Sequence, residues 1–359
     1  MKKYAIVAIT KHGVDIGRKL HSILPMSDLF YPNKFAKGDE RKKKIEMYEG
    51  SVKKAVPKLF SSYEGLIMIV SIGAVVRLIA PYLQNKMTDP GVVVIDDRAE
   101  HVISVLSGHL GGANELTNEV AALLDAEPVI TTASEVQKTI PVDLLGRRFG
   151  WTWESKENLI SASAAVVNEE QVAIVQESGE TNWWTYDTPL PDNITIYETI
   201  GQAMEEKPDA SLIITHRQLT NEELPILDHG VLYRPKVIAL GIGCNRGTTA
   251  EEIEQVIIET LDELQFSIQS VKAICTIDLK KDEDGLLQVV DKYDWEFITY
   301  SPAQLNEIPF NNPSDVVYKY TGAYGVSEPA ALRYSQSDEL ILEKKKSGNV
   351  TITVALMSL

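Results

Sequence analysis

The sequence predicts an α/β protein: an N-terminal layered α/β sheet domain, a smaller α+β middle domain and a separate C-terminal α/β domain. Two observations carry this reading. Short β-rich runs alternate with helical patterns through residues 1–145, and the same alternation resumes after Pro235. A third observation sets the middle apart: Trp151, Trp153, Trp183 and Trp184 gather there among Asp, Glu, Asn and Pro residues. The boundaries follow as 1–145, 146–235 and 236–359.

In the first region, strands are expected at Ala5 to Thr10, Leu66 to Ile72, Val92 to Asp96, Val102 to Leu106 and Val129 to Thr132. The opening segment has two lysines before a short apolar run, but His12 follows at once and no small-residue cleavage site appears, so it reads as a strand rather than a signal peptide. The longest apolar stretch, Leu66 to Pro81, is interrupted by Ser71, Gly73 and Arg77, short of the ~18 residues that span a bilayer. No membrane partner and a cytoplasmic location are expected. Between Lys34 and Lys44 six basic residues crowd together, as a solvated helix face or a landing patch for an anion.

The middle region offers one clear buried strand, Ser211 to Thr215, and its aromatics suit core or interface roles better than ligand stacking. The last region reads as strand (Val237 to Ile242), glycine loop, helix, strand (Val271 to Ile277), helix (Gly285 to Lys292) and strand (Glu296 to Tyr300). A helix around Glu328 to Tyr334 and a hairpin, Leu340 to Glu343 with Val350 to Met357, complete it. The helix after the loop has Ile253, Val256, Ile257, Leu261 and Leu264 on one stripe, and Thr249 with Glu252 forms a capping box. No period of 20 to 50 residues repeats, which excludes a solenoid.

Charge and cysteine content narrow the function. Lys and Arg number 35 against 51 Asp and Glu, a net charge of −16 that argues against a generic nucleic-acid partner. Cys244 and Cys275 cannot form a disulfide framework, nor a structural zinc site without histidine help. The six histidines show no tight ligand spacing, so no protein-held metal is expected.

The most informative segment runs from Ser104 to Thr117: a hydrophobic strand enters Gly108, Gly111 and Gly112 and then a helix. Glycines at such a turn let backbone N–H groups approach a ligand, and the positive helix end favours an anion or a developing oxyanion. His109 stands at that mouth with Ser107, Asn114 and Glu115, able to act as general base or acid; a purely structural turn explains the glycines equally well. In a second cluster, Ser71 to Pro81, Arg77 lies on an apolar turn and needs a partner, either a substrate carboxylate or Asp89, Asp96 or Asp97. Thr88-Asp89-Pro90 reads as a turn with Asp89 as a cap.

The third cluster has glycines at 241, 243 and 247. A dinucleotide fingerprint wants its last glycine at 246, where Arg246 stands instead, which leaves an anion-binding loop carrying its own cation. No activating base lies near Cys244, so it is not read as a nucleophile. Asp278 and Lys280 at a strand end, and Glu328 entering a helix, occupy positions where α/β sheets bind ligands, although caps and turns explain the two acids equally well.

Together these residues resemble the cobalt-precorrin-5A hydrolase family of anaerobic cobalamin biosynthesis. The resemblance rests on Ser71 to Pro81, Thr88 to Asp96, Leu106 to Leu116, Pro128 to Ala133, Gly241 to Thr248, Ala273 to Lys280 and Gly325 to Ala331, in the family's order. It covers nearly the whole chain and is weakest over 146–235. It implies a hydrolase that opens a δ-lactone on ring A of a cobalt-containing tetrapyrrole and expels C20 with its methyl group as acetaldehyde. The cobalt then arrives inside the substrate, and no cofactor is needed. A homodimer and transient contacts with other enzymes of the pathway are compatible with that role.

On this reading His109 activates water, Gly111, Gly112 and Asn114 stabilise the oxyanion, and Glu115 orients His109. Ser107, Gly108, Arg77, Gly241, Gly243, Arg246, Asp278, Lys280 and Glu328 are expected to bind the polycarboxylate substrate. The alternatives are a non-enzymatic corrinoid carrier and an enzyme that binds a nucleotide or S-adenosylmethionine.

Overall fold

A computed structural model describes residues 3–154 and 156–358. The chain divides into two compact units, Met1–Leu144 and Leu145–Leu359. The second unit holds both the middle and the C-terminal regions.

The first unit is built on seven strands: β1 (Tyr4–Ala8), β2 (Ser27–Pro32), β3 (Glu46–Tyr48), β4 (Gly65–Ile69), β5 (Gly91–Ile95), β6 (His101–Leu106) and β7 (Glu127–Val129). Their spatial order is β3-β2-β1-β4-β5-β6-β7. The first five listed are parallel, whereas β6 runs antiparallel to β5 and β7 parallel to β6. Continuous apolar runs such as Leu66-Ile-Met-Ile69 suit strands covered on both faces. Alternation does the rest: Ile6 and Ala8 pack under helices Lys11–Ile23 and Ala113–Leu124, while Ala5 and Val7 face Val56–Ser62 and Ile72–Ile79. Two of the six basic residues between Lys34 and Lys44 are ion-paired, Lys37 with Asp15 and Lys43 with Asp39.

The middle region carries more strands than its composition suggests. These are β8 (Thr152–Trp153), β9 (Val172–Gln176), β10 (Ile194–Tyr197), β11 (Ala210–Ile214) and β12 (Gly230–Arg234). They are ordered β10-β9-β11-β12-β8, and all but β8 are parallel, where an α+β layout was expected. Val172-Ala-Ile-Val175 is fully buried, but four apolar residues between polar stretches give no period from which to read a strand.

Within the second unit this sheet meets the C-terminal region through His216, whose ring stands edge-on to Phe266 at 4.6 Å and whose carbonyl accepts from Ser267 N at 2.7 Å. Burial lowers the imidazole from 6.5 to about 4, against the pull of Glu177. A histidine held neutral in this way contributes stability that is whole above pH 6.5 and is lost as the pH falls toward 4. His216→Phe should therefore spare the protein up to roughly 2 kcal/mol of acid destabilisation between pH 7 and 5. Urea unfolding of both proteins at the two pH values measures this, and parallel losses would refute it.

The C-terminal sheet consists of β13 (Ile238–Cys244), β14 (Val271–Ile277), β15 (Glu296–Tyr300), β16 (Leu342–Ser347) and β17 (Val350–Leu356), in the order β15-β14-β13-β17-β16. The Ala250–Glu263 helix starts where expected, with Thr249 Oγ1 accepting from Glu252 N at 3.2 Å. The box is only half made, because the Glu252 carboxylate instead accepts from Asn349 N at 2.9 Å.

Candidate active site

Because β6 and β7 run against β5, their carboxyl ends open on the edge of the sheet where β1, β4 and β5 begin. The Ser71 turn follows β4 and leaves from the other edge, about five residues or ~16 Å away. The two glycine turns that looked alike in sequence are thus on opposite edges.

The loop 107–112 leaves β6 and the loop 130–132 leaves β7. Asn114, 4% exposed, ties the first to the second: its Oδ1 accepts from Ser104 Oγ at 2.8 Å and its Nδ2 donates to Thr132 Oγ1 at 3.1 Å. Gly108 lies against this tie, where a Cβ would come within 2.7 Å of Asn114 Oδ1. Gly111 closes the turn, and a Cβ there would stand 2.3 Å from Ser107 Cβ. Ser107 is left-handed at φ 54°, and its buried Oγ has no hydrogen-bond partner, a combination that concentrates strain at this loop. Asn114→Ala removes the tie and leaves two hydroxyls short of a partner. A loss of about 1–3 kcal/mol is expected in urea unfolding, and an unchanged midpoint would show that the loops stand without it.

His109 projects between the loops. Its Nδ1 lies 2.9 Å from Asp143 Oδ1 and its Nε2 lies 3.1 Å from Ser134 Oγ. The His109 and Asp143 side chains are 17% and 16% exposed. A carboxylate can only accept, so in the neutral ring the proton sits on Nδ1 and Nε2 accepts from the Ser134 hydroxyl. Carboxylate, imidazole and hydroxyl form one directed chain, the arrangement that moves a proton from the hydroxyl to the ring and stabilises the resulting imidazolium.

Several expected roles are redistributed. The carboxylate that orients His109 is Asp143 and not Glu115, which is exposed on the first turn of the Ala113–Leu124 helix. The Gly112 N–H already donates to His109 O at 2.8 Å, and the Asn114 amide is engaged with Ser104 and Thr132, so both hold the loop together. Arg77 is exposed rather than buried and donates to Gly73 O at 2.8 Å in its own helix. The acids proposed for it have other donors: Gln84 N for Asp89, which caps its turn as expected, Arg98 N and His101 N for Asp96, and Thr10 for Asp97.

The C-terminal candidates gather at the ends of β13 and β14, but the cations there already have partners. Glu283, 3% exposed, accepts from Gly247 N at 2.6 Å and from Lys280 at 3.0 Å. Despite burial, which raises it, Lys280 and the Gly247 N–H hold its carboxyl below the usual range. Arg246 pairs with Asp282 at 2.8 Å and donates to Leu279 O at 3.0 Å. The anion that this loop cradles is therefore the protein's own. Gly241 serves packing, since a Cβ there would lie 1.9 Å from Ser327 O, and one on Gly243 would lie 2.7 Å from Thr351 Oγ1. Asp278 keeps one buried oxygen without a partner, and Glu328, 2% exposed, is met by Asn312 at 3.4 Å. Burial pushes the thiols of Cys244 and Cys275 up, away from nucleophilic character.

Sequence reasoning missed Ser134 and Asp143. A signal for the second existed: Asp143 is the one charge in the apolar run Ile140 to Leu145. Ser134 follows Thr131-Thr132-Ala133 and resembles any residue of a first helical turn. Among the described residues, no three His, Cys, Asp or Glu side chains are grouped to hold a metal ion, and no helix is long and apolar enough to cross a membrane.

Comparison with known proteins finds three successive matches along the chain. Residues 54–135 match the family described as Cobalamin synthesis G N-terminal, 140–235 the Cobalamin biosynthesis central region and 238–355 the Cobalamin synthesis G C-terminus. The chain is 65% identical to the cobalt-precorrin-5A hydrolase of Priestia megaterium over 99% of its own length and 95% of the relative's. It is 31% identical to that of Salmonella typhimurium, over 98% and 97%. A solved structure of a cobalamin biosynthesis protein G homologue from Sulfolobus solfataricus aligns over 99% and 98% at 20% identity, with a TM-score of 0.38. On the strength of the full-length matches, the chain belongs to the cobalt-precorrin-5A hydrolase family.

Proposed function

We propose that this protein hydrolyses cobalt-precorrin-5A, opening the ring A δ-lactone and releasing acetaldehyde. The observation that carries the reading is the 65% identity to a protein of that name over 99% of the chain. The geometry of the first unit supports it, because lactone opening needs a base beside the carbonyl, and His109, held by Asp143, provides one. Proton removal drives attack at the carbonyl and frees the C20 oxygen. Collapse of that oxygen to acetaldehyde leaves the electron pair of the broken carbon–carbon bond in the macrocycle. The cobalt belongs to the substrate, and the reaction calls on no resident cofactor.

The competing reading, a corrinoid carrier, binds the same molecule without consuming it. Purified protein mixed with cobalt-precorrin-5A should release acetaldehyde over many turnovers. Tight binding with no acetaldehyde would establish the carrier instead.

A further inference from the structure

We propose that Ser134 is the nucleophile of the reaction and that Ser134, His109 and Asp143 form an acyl-transfer relay, an inference that rests on the hydrolase reading above. Three features support it. The Nε2 of His109, the nitrogen left as acceptor by Asp143, is directed at Ser134 Oγ at 3.1 Å, so the first proton this ring can take is the hydroxyl's. Ser134 is 4% exposed, which shields an ester on its oxygen from bulk water. The helical turn that carries Ser134 is also anchored through its N-cap Thr132, which accepts from Asn114 at 3.1 Å, so the hydroxyl is held in place before substrate arrives.

The step balances without an added reductant or oxidant. Ser134 Oγ bonds to the lactone carbonyl carbon and its proton passes to His109 Nε2. The ring C–O bond breaks, leaving an ester on Ser134 and an alkoxide on C20. The alkoxide becomes the carbonyl of acetaldehyde as the bond from C20 to the macrocycle breaks, and the macrocycle keeps the electron pair and takes the proton from the imidazolium. Water, deprotonated by the same nitrogen, then cleaves the ester and restores Ser134 while the ring A acetate leaves as the free acid.

Rapid quenching of the wild-type protein during its first turnover of cobalt-precorrin-5A, followed by digestion and mass spectrometry, tests this. The expected result is a substrate-derived adduct, lacking acetaldehyde, on the peptide containing Ser134. Ser134→Ala should abolish the adduct and lower kcat at least a hundredfold, with substrate Kd unchanged; Ser134→Cys, similar in shape, should restore an adduct at the same position. A Ser134→Ala protein that keeps more than a tenth of kcat would overturn the proposal, as would a quench series that shows no adduct. If the wild-type protein releases no acetaldehyde, the hydrolase reading fails by itself. The relay is then read with p-nitrophenyl acetate, which should acetylate Ser134 in the wild type and not in His109→Gln; an unlabelled Ser134 would overturn it.

Discussion

His109→Gln is expected to lower the kcat for acetaldehyde release by roughly a hundred- to ten-thousandfold, the range removed with a general base. Glutamine keeps a planar polar group of similar reach, able to bond with Asp143 or Ser134, so the loop should remain closed and the melting temperature should stay near that of the wild type. What it cannot do is accept a proton. The loss should therefore fall on kcat, with the corrinoid binding as before in an absorbance titration. A variant within tenfold of wild-type turnover, folded and binding substrate, would remove His109 from the chemistry. Asp143 then separates position from charge, because Asp143→Asn keeps the hydrogen bond yet loses the carboxylate that holds the ring in one tautomer and stabilises its protonated form.

Gly241→Ala should markedly destabilise the second unit. The added carbon would lie 1.9 Å from Ser327 O and 2.7 Å from its carbonyl carbon, both backbone atoms that no rotamer change can move. The Ser327–Ser335 helix must lift from β13, beneath which Ala330 and Ala331 are fully buried. Overpacking of this kind typically destabilises by about 1–3 kcal/mol, and a backbone clash belongs at the upper end. Urea unfolding measures it, and Gly247→Ala is a useful contrast. Gly247 has open space around it but a φ of +78°, so its variant carries only conformational strain. If Gly241→Ala unfolded no more easily than the parent, the close approach of helix and strand would be wrong, and a binding role for this glycine would regain its force.

Much of the architecture was legible in the sequence because long apolar runs report burial directly. Val271–Ile277 and Glu296–Tyr300 occupy the expected residues, and β4, β5 and β6 differ by one to three residues at their ends. β2, β3, β8, β9, β10 and β12 were not read from the sequence: their runs give no clear period, and neighbouring strands make them strands. The site was half legible. Glycines that flank a histidine mark a constrained turn, which the structure contains. The partner of that histidine lies 34 residues on, brought near by the return of the chain through β7, and no local pattern encodes such a meeting. The C-terminal loop misled for a related reason. Arg246 and Lys280 read as cations awaiting a ligand, whereas folding delivers Asp282 and Glu283 to them.

His109, Ser134, Asp143 and the Asn114 tie come from one stretch of about 40 residues, Ser104 to Asp143, on the flank of the sheet that runs counter to the rest. One face of the five parallel strands packs on Val56–Ser62 and Ile72–Ile79, outside that stretch, while the other shares its core between Lys11–Ile23 and Ala113–Leu124. Local opening of that flank would dismantle the relay while most of the sheet stays folded. Enzyme activity in this chain should thus fade under mild denaturant before spectroscopic unfolding begins, and amide exchange should be faster in β7 than in β1 or β4.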